Sequence, residues 1–261
     1  MKPPTSNWPA GIAQRAARWT INNGAVDLVR SKGPARRARL SASPHDVEID
    51  LGGAAILVID FQNDFCAPGG WMAERGVDLA TLRAPIAPLN RLLPQLRGAN
   101  VPVIWLNWAN RPDRLNLPPS ALFFGSRGGT APGYADPSPS GRGPILARGS
   151  WGAAICAELA VDPADIHVDK VRLSGFWHND LDAILRNLAV TTLFFAGINL
   201  DRCVLATLQD AAFLGYDCIL VDDCAATSSP QFCIDAAHYL VGELYGFTVK
   251  SDQMLRDLAS Q

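Results

Sequence analysis

The sequence predicts an α/β protein with three α/β/α layers around a six-stranded, parallel, doubly wound sheet of order 3-2-1-4-5-6. Three observations carry this reading. Six short apolar runs recur along the chain. Stretches with helical spacing separate most of them. The longest runs are continuously apolar instead of alternating, as strands covered on both faces are.

Ala54 to Ile59 is the first run, ending in Asp60. Phe61-Gln62-Asn63-Asp64-Phe65 follows, then the turn signal Pro68-Gly69-Gly70. Residues 80–97 carry helical spacing through Leu82, Ile86, Leu89, Leu93 and Leu96. Val101 to Leu106 is the second strand, with Asn107 just beyond it. Residues 109–148 are rich in Pro, Gly, Ser and Arg, and a loop of that length is expected to cover the active site or a subunit interface. A short helix over Trp151–Leu159 and a short strand over Asp165–Val168 lead to Asp169 and Lys170. Asn179 caps a helix that turns Leu181, Ile184, Leu185 and Leu188 inward. Leu193 to Ala196 is the fourth strand, broken by Gly197; Val204, Leu208, Ala211 and Ala212 mark the helix behind it. Tyr216–Val221 is the fifth strand, ending in Asp222-Asp223, and Ser229-Pro230 opens a helix running to about Leu244. Phe247–Lys250 is the last strand and residues 252–259 the last helix.

Residues 1–50 differ in texture: basic, with several Pro and Gly, no clean period, and Trp8 and Trp19. They read as an arm that packs on the domain or a neighbouring subunit, or as a solvated tail, ahead of one domain over 51–261. The net charge of −2 offers nothing to a nucleic acid. No run of about 18 apolar residues suggests a membrane span, and no apolar segment near the start resembles a secretory signal. The six cysteines lack CxxC spacing, which points to reduced thiols in a cytoplasm and against structural zinc.

Cys203 falls at the first turn of a helix behind a buried strand, where amide dipoles favour a nucleophilic thiolate; a small buried core residue is the plain alternative. Asp60 and Lys170 also follow strands. The sheet order brings the ends of the Asp60 and Cys203 strands side by side. Together the three suit acyl transfer: the thiol attacks a carbonyl, the carboxylate moves its proton to the leaving amine, and the ammonium lowers the thiol pKa. Singly, Asp60 reads as a cap and Lys170 as a solvated cation.

Val58-Ile59-Asp60-Phe61-Gln62-Asn63-Asp64-Phe65, Asp169-Lys170, and Gly197-Ile198-Asn199-Leu200-Asp201-Arg202-Cys203-Val204 resemble the isochorismatase-like cysteine hydrolases over roughly residues 50–258. The resemblance implies the six-stranded fold, an Asp60–Lys170–Cys203 triad, and a cis peptide between Ile198 and Asn199 that aims the Asn199 and Cys203 amides at an oxyanion. Leu146-Ala147-Arg148-Gly149-Ser150-Trp151 and Lys170-Val171-Arg172-Leu173-Ser174-Gly175-Phe176 are similar to ureidoacrylate amidohydrolases. Arg111-Pro112-Asp113, Leu117-Pro118 and Asp136-Pro137 followed by Gly141-Arg142 resemble biuret and triuret hydrolases. These imply cleavage of a C–N bond in a small linear ureide or carboxamide, in a homodimer or homotetramer. The chain departs from the family at Leu200, where Thr is usual, at Val171, where Pro often follows the lysine, and at Leu173, where the ureidoacrylate branch often has Tyr. Asn107-Trp108-Ala109-Asn110 stands where the nicotinamidase branch carries an Asp-x-His metal site, so no metal and no cofactor are expected.

Phe61, Phe65, Asn107, Phe176 and Trp177 are candidates to shape a flat pocket, with simple core packing as the alternative. Gln62 is a candidate for hydrogen bonding the substrate or capping a loop, and Arg172 for binding a substrate carboxylate or pairing with acids at an interface. Two other functions remain open. One is a catalytically silent binding or assembly subunit. The other is a nucleotide-binding oxidoreductase, which the missing glycine-rich phosphate loop disfavours.

Overall fold

The computed structural model describes residues 20–22, 24–28 and 34–260. Trp8 and Trp19 of the expected arm lie outside these residues. Two short antiparallel hairpins come first: β1 (Thr20–Asn22) with β2 (Ala25–Asp27), and β3 (Arg37–Leu40) with β4 (Val47–Asp50). The second lies on the body of the molecule. Ala38 and Leu40 are buried, Ser41 N donates to the Asp257 carboxylate (2.7 Å), and Ser43 bridges Thr248.

The main sheet holds β5 (Ala54–Ile59), β6 (Val103–Trp108), β7 (Ile166–Lys170), β8 (Thr192–Ile198), β9 (Asp217–Ala226) and β10 (Gly246–Val249). Every pairing is parallel and the order is β10-β9-β8-β5-β6-β7, the order expected. β5, β6 and β8 are buried along their whole length, as their continuous apolar runs require. The order reverses between β5 and β8, and that switch point opens the crevice where such sheets place their ligands.

Several boundaries differ from expectation. The second strand begins at Val103 because Pro102 has no N–H to give the ladder, though its carbonyl accepts from Ile56 N (3.0 Å). Residues 80–97 make two helices, α3 (Leu79–Arg83) and α4 (Ile86–Gly98), parted around Pro85. α1 (Asn63–Cys66) and α2 (Trp71–Glu74) precede them, and α5 (Pro119–Gly125) lies within the long loop. Residues 151–159 form turns, not a helix: their backbone is drawn to the segment after β5, with Asn63 N donating to Ala154 O (2.9 Å) and Cys156 N to Phe61 O (2.9 Å). α6 (Leu181–Asn187) has Leu181 N held by the Asn179 carboxamide (3.0 Å). α7 (Leu205–Phe213) follows a π-helical turn over Leu200–Val204. α8 (Gln231–Leu240) ends in a second such turn, and α9 (Ser251–Ala259) closes the described chain, packed on α4. Among the described residues no helix is long and apolar enough to cross a membrane.

Candidate active site

Asp60 directly follows β5 with φ at 57°, in the left-handed region that Asp enters more readily than most non-glycine residues. One carboxylate oxygen, Oδ1, accepts from Trp108 N at 3.0 Å; the other, Oδ2, meets Lys170 Nζ at 2.8 Å. Lys170 is the last residue of β7. Its Nζ also donates to the Arg172 carbonyl (3.1 Å) and lies 4.2 Å from the centre of the Trp108 ring. Both charged side chains are fully buried, at 0% exposure. A buried pair this tightly bonded is a site that would collapse if one partner were removed.

Cys203 sits buried in the π-helical turn at the start of α7, where both Asp60 and Lys170 act on its thiol electrostatically. π-turns of this kind are common at functional sites. Thr207, one turn on, donates to the Cys203 carbonyl (2.6 Å) and accepts from Gly175 N (3.0 Å). That clamps the loop after Lys170 to the cysteine helix. The Ile198–Asn199 peptide is cis. The Asn199 side-chain oxygen accepts from Thr227 Oγ1 and Ser228 N, both at 3.3 Å, and its carbonyl accepts from Val204 N (3.2 Å).

Electrostatics set the resting state. Burial pushes the Cys203 thiol up to about 12, even though the Lys170 ammonium pulls it down. Position at a helix start therefore does not win: desolvation does, and the cysteine rests as a thiol. Burial also raises the Asp60 carboxyl above its ordinary value, against the pull of Lys170. For Lys170, burial acts to lower the ammonium, but the facing carboxylate and thiol more than offset it and the group is held charged. The outcome is a basic carboxylate beside an unionised thiol.

The other expected site residues divide. Phe61 is buried in the core, and Phe65 packs edge-on against Trp71 with ring centres 6.3 Å apart. Gln62 is spent on the fold: its carboxamide oxygen accepts from Trp108 N (2.9 Å) and its nitrogen donates to Trp108 O and Ala153 O (both 2.7 Å). Asn107, in β6, keeps a buried side-chain oxygen with no hydrogen-bond partner among the described residues. Arg172 donates to the Asn116 and Val171 carbonyls (2.8 and 2.7 Å) and lines a cleft of about 440 Å³ with Arg148, Asp169 and His178. Phe176 and Trp177 lie elsewhere. Phe176 stacks on Tyr216, and Trp177 donates to Asp210 (2.6 Å), seven residues beyond Cys203 and so about 10 Å along α7.

Sequence reasoning missed Trp108 and Asp64. Trp108 supplies the amide that orients Asp60 and the ring beneath Lys170. Asp64 is buried and accepts from Leu146 N (2.7 Å) and Trp71 N (3.2 Å), tying the long loop to α1 and α2. Its signal was present in the Gln62-Asn63-Asp64 run, where a buried acid two residues from Gln62 needs backbone donors. Among the described residues no group of three or more His, Cys, Asp or Glu is placed to hold a metal ion.

The fold is a three-layer, doubly wound α/β/α domain with a buried Asp60–Lys170 pair and a buried cysteine at its switch point. A sequence profile of the isochorismatase domain matches residues 54–245, and the chain belongs to the isochorismatase family. Solved structures share the architecture. A cysteine hydrolase from Pseudomonas syringae pv. phaseolicola 1448A is 24% identical, with a TM-score of 0.69 over 81% of this chain and 95% of its own. An isochorismatase family protein from Desulfovibrio vulgaris subsp. vulgaris str. Hildenborough is 25% identical, with a TM-score of 0.61 over 80% and 99%. N-carbamoylsarcosine amidase from Thermoplasma acidophilum is 24% identical, with a TM-score of 0.58 over 76% and 96%.

Proposed function

We propose that this protein is a cysteine-dependent amidohydrolase that cleaves a C–N bond of a small linear ureide or carboxamide. The observation that carries the reading is the buried Asp60–Lys170 pair, both members of which act on the buried Cys203 thiol. Asp60 takes the Sγ proton as the sulfur bonds to the carbonyl carbon. The N–H groups of Asn199 and Cys203 hold the resulting oxyanion. Protonated Asp60 then passes its proton to the leaving nitrogen, the C–N bond breaks and a thioester remains. Asp60 next deprotonates a water, which adds to the thioester; the C–S bond breaks and the thiolate regains a proton. Lys170 stays charged throughout and keeps Asp60 in place. One of the structural neighbours is an amidase of a carbamoyl compound, which suits this substrate class.

The test is ammonia release over biuret, triuret, ureidoacrylate, N-carbamoylsarcosine and nicotinamide, wild type against Cys203→Ala. The conservative cysteine variant is the right one, because removing either charge would strand the other in the core. Turnover of a ureide that falls by about 10³-fold or more in the variant supports the reading. Turnover untouched by the substitution overturns it. Silence over the whole panel, with Cys203 slow to alkylate, favours the silent binding subunit instead.

A further inference from the structure

α8 buries little of its apolar surface. Ile234, Ala237 and Val241 fall on one side of it and turn inward, and Ala237 is the one buried residue between Gln231 and Leu240. The opposite side carries Phe232, Ala236 and Tyr239. Their spacing of i, i+4 and i+7 is that of a core-facing stripe, yet all three are exposed. The stripe continues through Leu244 and Tyr245, in the turn behind the helix, to Phe213 of α7, whose ring meets Tyr245 edge-on with centres 5.8 Å apart. Phe213, Phe232, Tyr239 and Leu244 are 73%, 71%, 66% and 66% exposed.

Three aromatic rings this open present roughly 400 Å² per copy, at about 200 Å² for a whole ring. With Leu214 and Leu244 added, two such patches face to face would remove about 1,000 Å² from water, the size at which specific interfaces begin. A connected apolar patch of that extent marks a contact surface. The stripe is also its own complement. Ala236 lies at its middle and is small enough for two helices to approach closely. Two α8 helices crossing antiparallel at Ala236 set Phe232 of each copy against Tyr239 of the other. Charges match in the same register. About one turn beyond Tyr239 is Glu243, exposed and without an ion-pair partner among the described residues. About one turn before Phe232, Ser229 holds the exposed Arg202 guanidinium (2.9 Å), whose own acid, Asp201, stands at 3.8 Å. The antiparallel crossing brings Glu243 of each copy to Arg202 of the other.

We propose that α8 is the two-fold interface of a homodimer, in which Phe232 packs on Tyr239 and Arg202 pairs with Glu243 across the axis. The match of rings and charges about one central alanine selects a second copy of this chain as the occupant. α8 rests on the π-helical turn over Leu200–Val204, so the second copy buttresses the turn that carries Cys203 and sets an acid against the residue beside it. The inference stands apart from the amidohydrolase reading, because its readouts need no turnover.

The test is sedimentation equilibrium of the full chain at micromolar concentration. The wild type should show twice the mass of one chain, or a multiple of that. Phe232→Glu should show half the wild-type mass with an unchanged circular dichroism spectrum. Arg202→Glu and Glu243→Arg should each associate weakly, since like charges then meet twice across the axis. Mixing these two variants in equal amounts restores both opposite pairs, and the mixture should bind at least about tenfold more tightly than either variant alone. Only pairing between copies predicts rescue by mixing. A monomeric wild type overturns the proposal, whatever else covers the stripe. So does a wild-type mass that Phe232→Glu leaves intact, or a mixture that associates no better than its components.

Discussion

Burial pushes the Cys203 thiol up to about 12, and the same burial raises Asp60 above its ordinary value of 3.8. The consequence is a pH profile with one limb. Asp60 must be ionised to take the thiol proton, so kcat/KM falls as pH drops through its raised pKa. Above that value the base is ionised, the thiol still carries its proton, and the rate should stay flat to about pH 9. An inflection at or below about pH 4 would mean that Lys170, not burial, sets the carboxylate. At this scale Asp60, Lys170 and Cys203 were legible because each ends a buried run or opens the helix behind one. Tyr134 was not: it lies in a Pro- and Gly-rich stretch without periodicity, and only the folded loop shows that its ring reaches Trp108. Nor does the sequence show the partners of Phe176 and Trp177: Phe176 stacks on Tyr216 and Trp177 Nε1 donates to the Asp210 carboxylate.

Asp222, where the fifth strand was expected to stop, lies inside a ten-residue β9 and joins three elements. Its Oδ1 meets His238 Nε2 of α8 at 2.6 Å, and its Oδ2 pairs with Lys250 after β10. The strand runs on past two carboxylates because each is satisfied: Asp223 accepts from Ser251 N (2.7 Å) and from the Ser251 hydroxyl (2.5 Å). No periodicity could show that. The hydrogen bond to Asp222 raises His238 above 6.5, aided by Asp235 and opposed by burial and Lys250; the bond to His238 brings Asp222 down to about 2. A raised histidine stabilises the fold in full below pH 6.5 and loses that contribution as pH climbs through its folded value. The depressed Asp222 contributes above 3.8 and loses it as pH falls towards about 2. His238→Gln should therefore lower the urea midpoint at pH 5.5 and make a smaller difference at pH 9. An equal difference at both would show that packing, not charge, is what His238 brings. Turns at 151–159 carry the same lesson as β9. Their apolar spacing suits a helix, but the groups after β5 compete for the backbone and win it.

The six apolar runs and their connections were enough to order the main sheet, since a doubly wound sheet leaves few alternatives. What they left out is the β3–β4 hairpin. Arg37-Ala38-Arg39-Leu40 does alternate, with Ala38 and Leu40 inward, but four residues flanked by charge make a weak signal. The hairpin is fastened at several points. Asp50 accepts from Arg36 N (2.9 Å) and Gly52 N (2.8 Å), Ser43 exchanges two backbone bonds with Thr248 (both 2.9 Å), and Ser41 holds Asp257. Leu40 and Ile49 are buried beneath it. A chain that starts at Leu51 gives up both of these side chains. At about 1.5–3 kcal/mol each the loss is about 3–6 kcal/mol, before any hydrogen bond is counted. That is a large share of the stability of an ordinary domain. None of these residues touches Asp60, Lys170 or Cys203, so the folded fraction of the shortened chain should keep its kcat while its urea midpoint and Tm fall well below those of the full chain. An unchanged midpoint would make the hairpin an ornament on a domain that begins at β5; a lost kcat at full folding would tie it to the site through α9 and β10.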